Sequence, residues 1–150
     1  MNLEKLHAEL KTRNISEENY YLHGLFGSTS DENKIALAMK KGKYTTEYEV
    51  YYNERGEKHS EKLFTSESEA CEYVLNQLLE QYTIEKTQNL RNIDGMSVNE
   101  RLSESGLLAE FNQAKKTNRK RAAQILRILK VDKSSAEKIL NKKNWWQQWL

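Results

Sequence analysis

The histidines and the cysteine are the first residues to consider as metal ligands, bases or nucleophiles. The glutamates of residues 47–72 could in principle supply an acid and a base, but exposed carboxylates are usually only solvated. There are three histidines, His7, His23 and His59, and one cysteine, Cys71. No histidine stands at a metal-ligand spacing from another histidine, a cysteine or a carboxylate. Cys71 lacks the basic neighbours at a helix start that would activate its thiol. We therefore predict no catalytic residue, no metal site and no cofactor, and a protein that is not an enzyme.

Five glutamates form the first candidate binding surface. They lie on and around a predicted β-hairpin, and they are Glu47, Glu49, Glu54, Glu57 and Glu61. Such a row of carboxylates could imitate the phosphates of a nucleic acid and attract a basic partner protein. The alternative is that these glutamates only hydrate an exposed face of a sheet.

Five cations form a second candidate surface at a predicted junction between two helices. They are Lys115, Lys116, Arg119, Lys120 and Arg121. The cations could bind phosphates, and the neighbouring helices have a superficial likeness to a helix-turn-helix. Nucleic-acid binding by an antitoxin-like or regulatory module is therefore the alternative function. The simpler explanation is a charged junction between helices that are otherwise buried.

Three tryptophans near the C-terminus form a third candidate surface, and they are Trp145, Trp146 and Trp149. Large aromatic side chains often anchor a partner protein. The spacing of these three equally suits a terminal helix that packs on the rest of the protein.

The hairpin that would hold the glutamates is predicted from a change of hydrophobic period. Between residues 44 and 52 every second side chain shares one face, as in a half-buried strand, and the segment is rich in Tyr, Thr and Val. A turn at residues 53–56 leads into a shorter strand at residues 59–64. A helix follows, because Ser66 can cap it and apolar residues then recur every three and four positions as far as Tyr82.

The segments before the hairpin complete a predicted antiparallel sheet. Residues 2–13 have the pattern of an N-terminal helix, and residues 19–26 and 33–40 have the pattern of strands. We expect these two strands and the hairpin to form a four-stranded antiparallel meander flanked by helices.

The C-terminal half is predicted to be a cluster of short helices. Ser97, Asn118 and Asp132 can each cap a helix, and Gly106 can end one. The whole chain then has the α+β class, and its 150 residues suffice for one domain. We expect residues 1–84 to form the sheet with its helices and residues 96–150 to form a helical half packed against it.

Charge and hydrophobicity restrict the partners. Residues 1–90 hold 11 basic and 16 acidic residues, whereas residues 91–150 hold 13 and 6, so the net charge of +2 is unevenly spread. The two halves could bind different partners or simply attract each other. No apolar run approaches the about 20 residues that span a bilayer, and the first residues predict a polar helix rather than a signal peptide. With a single cysteine, a cytoplasmic protein without a membrane partner is expected.

Several short motifs resemble immunity proteins of bacterial polymorphic toxin systems, and contact-dependent growth inhibition immunity proteins are the nearest type. The likeness spans residues 16–140 and rests on the turn Asn53-Glu54-Arg55-Gly56 after a tyrosine-rich strand, Phe64 before Ser66-Glu67-Ser68-Glu69-Ala70-Cys71, Val98-Asn99-Glu100-Arg101-Leu102, Gly106-Leu107-Leu108, Phe111 and Ile125-Leu126. The resemblance implies a small cytoplasmic α+β protein that binds one cognate toxin, often a nuclease, and blocks its active site or substrate access. It implies no catalysis and no fixed set of binding residues, and it does not include the tryptophans.

Overall fold

A computed structural model describes residues 1–141 of the chain. The chain divides into two compact units, residues 1–79 and residues 80–150, and the boundary between them falls within one long helix. The first unit combines helices with a sheet, and the described part of the second unit is helical. The predicted α+β class is therefore confirmed. The expectation that both halves form a single domain stays a prediction.

The first unit is built on a five-stranded mixed sheet. Its strands, in chain order, are β1 (Tyr20–Leu22), β2 (Phe26–Gly27), β3 (Lys34–Lys41), β4 (Thr46–Glu54) and β5 (Glu57–Phe64). They lie in the order β2-β1-β3-β4-β5. Strands β1 and β3 are parallel, and the other neighbours are antiparallel.

The prediction of four antiparallel strands was wrong at residues 19–26. The backbone takes the left-handed conformation at His23 (φ 52°) and Gly24 (φ 72°), which reverses the chain inside the predicted first strand. Two short strands result, and β1 lies parallel to β3 with Leu22 beside Leu37. His23 stabilises this arrangement, because its backbone N–H donates to the Leu37 carbonyl at 2.7 Å and its Nδ1 accepts from the Met39 N–H at 3.0 Å.

One face of the sheet is apolar. Neighbouring positions on this face form two rows across the sheet, Tyr20–Ile35–Tyr52 and Leu22–Leu37–Val50. All of these side chains are buried except that of Tyr52, which is half-buried. Strand β4 begins at Thr46, and Tyr44 lies before it with 88% of its surface exposed, so Tyr44 is not part of this face.

Helices α1 (Leu3–Thr12) and α2 (Glu67–Thr87) contribute further buried apolar side chains to the first unit. They are Leu3, Leu6 and Leu10 from α1 and Ala70, Cys71, Val74 and Leu78 from α2. The start of α1 is joined to the start of α2, because the Leu3 N–H donates to the Glu67 carboxylate at 3.1 Å. The predicted cap of α2 is confirmed, since the Glu69 N–H donates to Ser66 Oγ at 3.3 Å.

The second unit contains helices α3 (Val98–Ser105), α4 (Leu108–Thr117), α5 (Arg119–Ile128) and α6 (Lys133–Asn141). The predicted caps are confirmed: Ser97, Asn118 and Asp132 each accept a backbone N–H three residues on, and Gly106 ends α3 at φ 77°. The helices enclose a core of eight buried residues, which are Leu102, Leu107, Phe111, Ala114, Ala122, Ile125, Leu126 and Leu129.

Candidate functional site

A tight turn of two residues joins β4 and β5. Its loop is Arg55-Gly56, and both residues have positive φ, at 52° and 79°. This is the type I′ geometry, whose twist matches that of the two strands it joins. Glu54 and Glu57 therefore lie directly opposite each other at the tip.

A β-bulge interrupts β5 in its middle. Val50 pairs with Lys62 and Tyr52 pairs with His59, so β5 has one residue more than β4 over this interval. Ser60 takes the left-handed conformation there, with φ 53°, which glycine usually occupies at such bulges. Every residue of β5 from Glu57 to Leu63 is exposed.

The structure separates the five glutamates of the predicted acidic surface. Glu54, Glu57 and Glu61 are exposed and lie at the tip and along β5. Glu47 is half-buried, with its carboxylate against the backbone of Gly42. Because a strand advances about 3.4 Å per residue, Glu47 lies about 24 Å along β4 from Glu54.

Glu49 belongs to a different environment. It is buried, with 8% of its surface exposed, and its carboxylate contacts Lys58 Nζ at 3.1 Å and Lys40 Nζ at 3.5 Å. Two cations from the strands on either side therefore already neutralise Glu49. A partner could not bind its carboxylate without displacing them.

Glu49 lies at one end of a polar cluster on the face of the sheet opposite the apolar one. Tyr51 donates from its hydroxyl to Asp31 Oδ2 at 2.7 Å, and Asn53 donates from Nδ2 to Asp31 Oδ1 at 3.0 Å. The ammonium group of Lys58 lies 4.5 Å from the centre of the Tyr51 ring. Burial raises the pKa of Tyr51, whereas the hydrogen bond from Tyr51 lowers the pKa of Asp31.

The sequence reasoning missed this cluster. Asp31 lies in the loop before β3 and has no local signal that directs it towards a strand residue twenty positions further on. The one available signal was the run Tyr51-Tyr52-Asn53, which places a large aromatic residue and an amide on the face otherwise occupied by charged residues. These contacts join the 28–33 loop to the part of β4 that leads into the tip of the hairpin.

The three histidines lie in separate places. His7 Nδ1 is 2.9 Å from the Tyr20 hydroxyl, its Nε2 is 3.2 Å from the Glu17 carboxylate, and its ring stacks on Phe26 at 4.9 Å. His23 bonds within the sheet as described, and His59 is exposed on β5. Within residues 1–141 no group of three or more His, Cys, Asp or Glu side chains could hold a metal ion.

Cys71 is fully buried in α2. Burial, with a smaller contribution from Glu67, raises the pKa of its thiol to about 11. At neutral pH the side chain is thus a protonated thiol that packs as a small apolar group.

The structure divides the predicted basic cluster as well. The cluster lies at the junction of α4 and α5, where Asn118 alone separates the two helices. Arg121 is buried, with 3% of its surface exposed, and bonds to Glu110, Thr83 and Gln124. Arg119 is exposed but donates to Asn141 Oδ1 at 2.7 Å. The remaining cations are Lys115, half-buried, and Lys116 and Lys120, both exposed.

Two further expectations concern the C-terminus and membranes. Trp145, Trp146 and Trp149, the alternative partner-binding residues, lie outside the described residues. Among the helices of residues 1–141, none combines the length and the apolar character needed to cross a bilayer.

Comparisons of the chain with family models, curated proteins and solved structures find no match in any of the three. The hairpin with its three exposed glutamates is therefore the candidate site on grounds of geometry and charge alone.

Proposed function

We propose that this protein is an immunity protein that neutralises a cognate bacterial toxin by stoichiometric binding in the cytoplasm of the toxin-producing bacterium and its kin. The toxin is proposed to be a nuclease. The proposal draws on the motifs that resemble contact-dependent growth inhibition immunity proteins, and the hairpin tip supplies the physical argument for the contact surface.

The hairpin tip is the proposed contact surface because Glu54 and Glu57 face each other there. Like charges directly opposite each other on neighbouring strands destabilise a hairpin. Both residues are exposed, and within residues 1–141 the structure gives neither of them an ion pair. A cation from a partner, placed between the two carboxylates, would relieve their repulsion. The free protein thus carries a feature that is unfavourable alone and favourable in a complex with a basic surface.

The groove of a nuclease is basic because it must bind phosphates, and its cations would bind the paired carboxylates of Glu54 and Glu57. The attraction is local to these carboxylates, because the exposed Arg55, Lys58 and Lys62 balance the three glutamates of residues 54–62. Glu61 adds a third exposed carboxylate on β5, between Lys58 and Lys62. Binding in the groove would keep the nucleic acid out of it. The tight loop and the Asp31 cluster hold the hairpin in one conformation before binding, which reduces the entropy that the complex must lose.

Coexpression tests the proposal. The probe is the C-terminal toxin region of the large secreted protein expected from the gene immediately upstream. Cells that express this region should grow only when the immunity protein is present, and the two proteins should purify together. If the cells die and no complex forms although both proteins are folded and soluble, the proposed function is wrong.

A matched pair of variants tests the surface separately. The variant E54Q/E57Q/E61Q removes the three exposed carboxylates of the hairpin, and E18Q/E104Q/E137Q removes three exposed carboxylates elsewhere. The control should protect cells as the natural protein does, whereas the hairpin variant should bind the toxin more weakly. Equal protection by both variants would leave the function in place and discard the hairpin as the contact surface.

A further inference from the structure

Strand β5 is an edge of the sheet. It pairs with β4 on one side, and within residues 1–141 no strand lies on its other side. Its seven residues from Glu57 to Leu63 are all exposed. An edge of this length carries unpaired backbone N–H and C=O groups that can pair with another strand.

The bulge determines which residues present those groups outward. The two residues that flank the type I′ loop, Glu54 and Glu57, direct their backbone groups towards each other. Backbone groups alternate along β4, whose register with β3 is continuous, so Val50 and Tyr52 also direct theirs towards β5. Their partners on β5, which are Lys62 and His59, point inward. Lys58 and Glu61, which are three residues apart, are therefore directed outward.

We propose that β5 pairs antiparallel with β5 of a second copy of this chain, around a two-fold axis between His59 and Ser60. This inference goes beyond the proposed function. Both use Glu57 and Glu61, so the homodimer and the toxin complex exclude each other. In this register Lys58 lies opposite Glu61 of the second copy, and Glu57 lies opposite Lys62 of the second copy. The two-fold axis repeats both pairs, so the interface brings together four pairs of opposite charge and none of like charge.

The bulge is what makes this register workable. In a regular strand the outward residues are an even number of positions apart, so Lys58 and Glu61 would point to opposite edges. Because Ser60 is an extra residue, the backbone groups of Lys58 and Glu61 both point to the outer edge of β5. An antiparallel partner forms its backbone hydrogen bonds where two such outward-pointing residues face each other. The same sequence without the bulge could not form these charge pairs and the backbone hydrogen bonds together.

The two kinds of charge pair differ in strength. Lys58 Nζ already contacts Glu49 at 3.1 Å, so its attraction to a second copy is partly satisfied within the chain. Glu57 has no such ion pair in the described residues, and the Lys62 ammonium lies 4.6 Å from the centre of the Tyr73 ring without a carboxylate partner there. The pairs of Glu57 with Lys62 should therefore contribute most of the electrostatic attraction between the two copies.

Association through one short edge is weak by comparison with standard interfaces. Sedimentation velocity of the full chain from about 1 µM to about 1 mM should show a reversible monomer–dimer equilibrium. The single substitutions E57K and K62E each replace two attractive pairs with two repulsive pairs and leave Lys58 in place. Each should weaken dimerisation about tenfold or more.

The equimolar mixture of E57K and K62E is the decisive sample. In a mixed dimer, the lysine introduced at position 57 of one chain faces the glutamate introduced at position 62 of the other. The second pair, Lys62 of the E57K chain and Glu57 of the K62E chain, keeps its original charges. Both pairs are then attractive, so dimerisation should return to the level of the natural chain.

The matched controls are E104K and K5E, which make the same charge changes at exposed positions of helices α3 and α1 and should dimerise normally. A natural chain that stays monomeric at about 1 mM, variants that dimerise as it does, or a mixture that remains monomeric would each overturn the inference. None of these samples contains toxin, so failure here leaves the proposed function standing.

Discussion

Replacing Arg121 with methionine should strongly destabilise the helical unit. The guanidinium group is buried between α4, α5 and the end of α2. Its Nε donates to Glu110 Oε1 at 2.9 Å, and Nη2 lies 2.8 Å from the same oxygen. Its Nη1 donates to Thr83 Oγ1 at 2.7 Å and to Gln124 Oε1 at 2.8 Å. Methionine fills a similar volume but provides none of these donors.

The expected loss of stability depends mainly on Glu110, which loses its ion pair with Arg121. Removing one partner of a buried ion pair typically costs about 3–5 kcal/mol, because the remaining charge is left without compensation. The Glu110 side chain keeps a quarter of its surface exposed, so water can replace part of the lost interaction. The cost should therefore be near the lower limit, about 3 kcal/mol.

Urea denaturation followed by the helical circular dichroism signal measures this cost. With a slope of about 2 kcal/mol per molar, the midpoint of the transition should fall by about 1.5 M. The matched control is Lys120→Met, which removes the same charge at the neighbouring exposed position and should change stability by less than about 0.5 kcal/mol. If the two variants have equal stability, Arg121 is not a structural residue and the argument from its burial is wrong.

Four other outcomes are expected. Asp31→Asn should destabilise the sheet unit by about 1–2 kcal/mol at neutral pH. Because hydrogen bonding lowers the pKa of Asp31, the stabilisation is present above its ordinary value of 3.8 and is lost as the pH falls through the folded value, so the difference between the variant and the natural protein should shrink in acid urea titrations. Cys71 should react with a thiol reagent at about pH 8 only after unfolding, because burial raises its pKa to about 11; rapid reaction of the native protein would contradict its burial. Ser60→Gly should stabilise the protein by about 1 kcal/mol in thermal unfolding, since glycine adopts the left-handed conformation without strain, and Ser60→Val should destabilise it. Mobility-shift assays with random DNA and RNA should show no binding; a salt-sensitive shift that disappears when Lys115, Lys116 and Lys120 become glutamine would support the nucleic-acid alternative instead.

The helix boundaries could be predicted from the sequence because their signals are local. Ser66, Ser97, Asn118 and Asp132 each accept a hydrogen bond from a residue three positions on, so both partners lie within one turn. The loop of the hairpin was equally local, because it depends on Gly56 and its neighbour. Such features need no knowledge of the tertiary structure.

The errors arose where distant residues decide the outcome. The left-handed conformation of His23 is stabilised by hydrogen bonds with β3, which the hydrophobic pattern of residues 19–26 does not contain. Arg121 was expected on the surface because it stands in a run of cations, yet one of its partners, Thr83, is 38 residues away. Glu49 was grouped with exposed glutamates, although it is buried and forms ion pairs with Lys40 and Lys58 from the adjacent strands. Sequence alone specified the charges at the candidate site, whereas the fold decides which of them a partner can reach.

Titration of toxin activity tests the central claim most directly. The purified toxin region encoded upstream would be assayed for cleavage of DNA and RNA while increasing amounts of this protein are added. The proposed function predicts that activity falls in proportion to the added protein and vanishes near one equivalent, because tight binding consumes one molecule per toxin. Full nuclease activity in the presence of a large excess of the folded protein would contradict it.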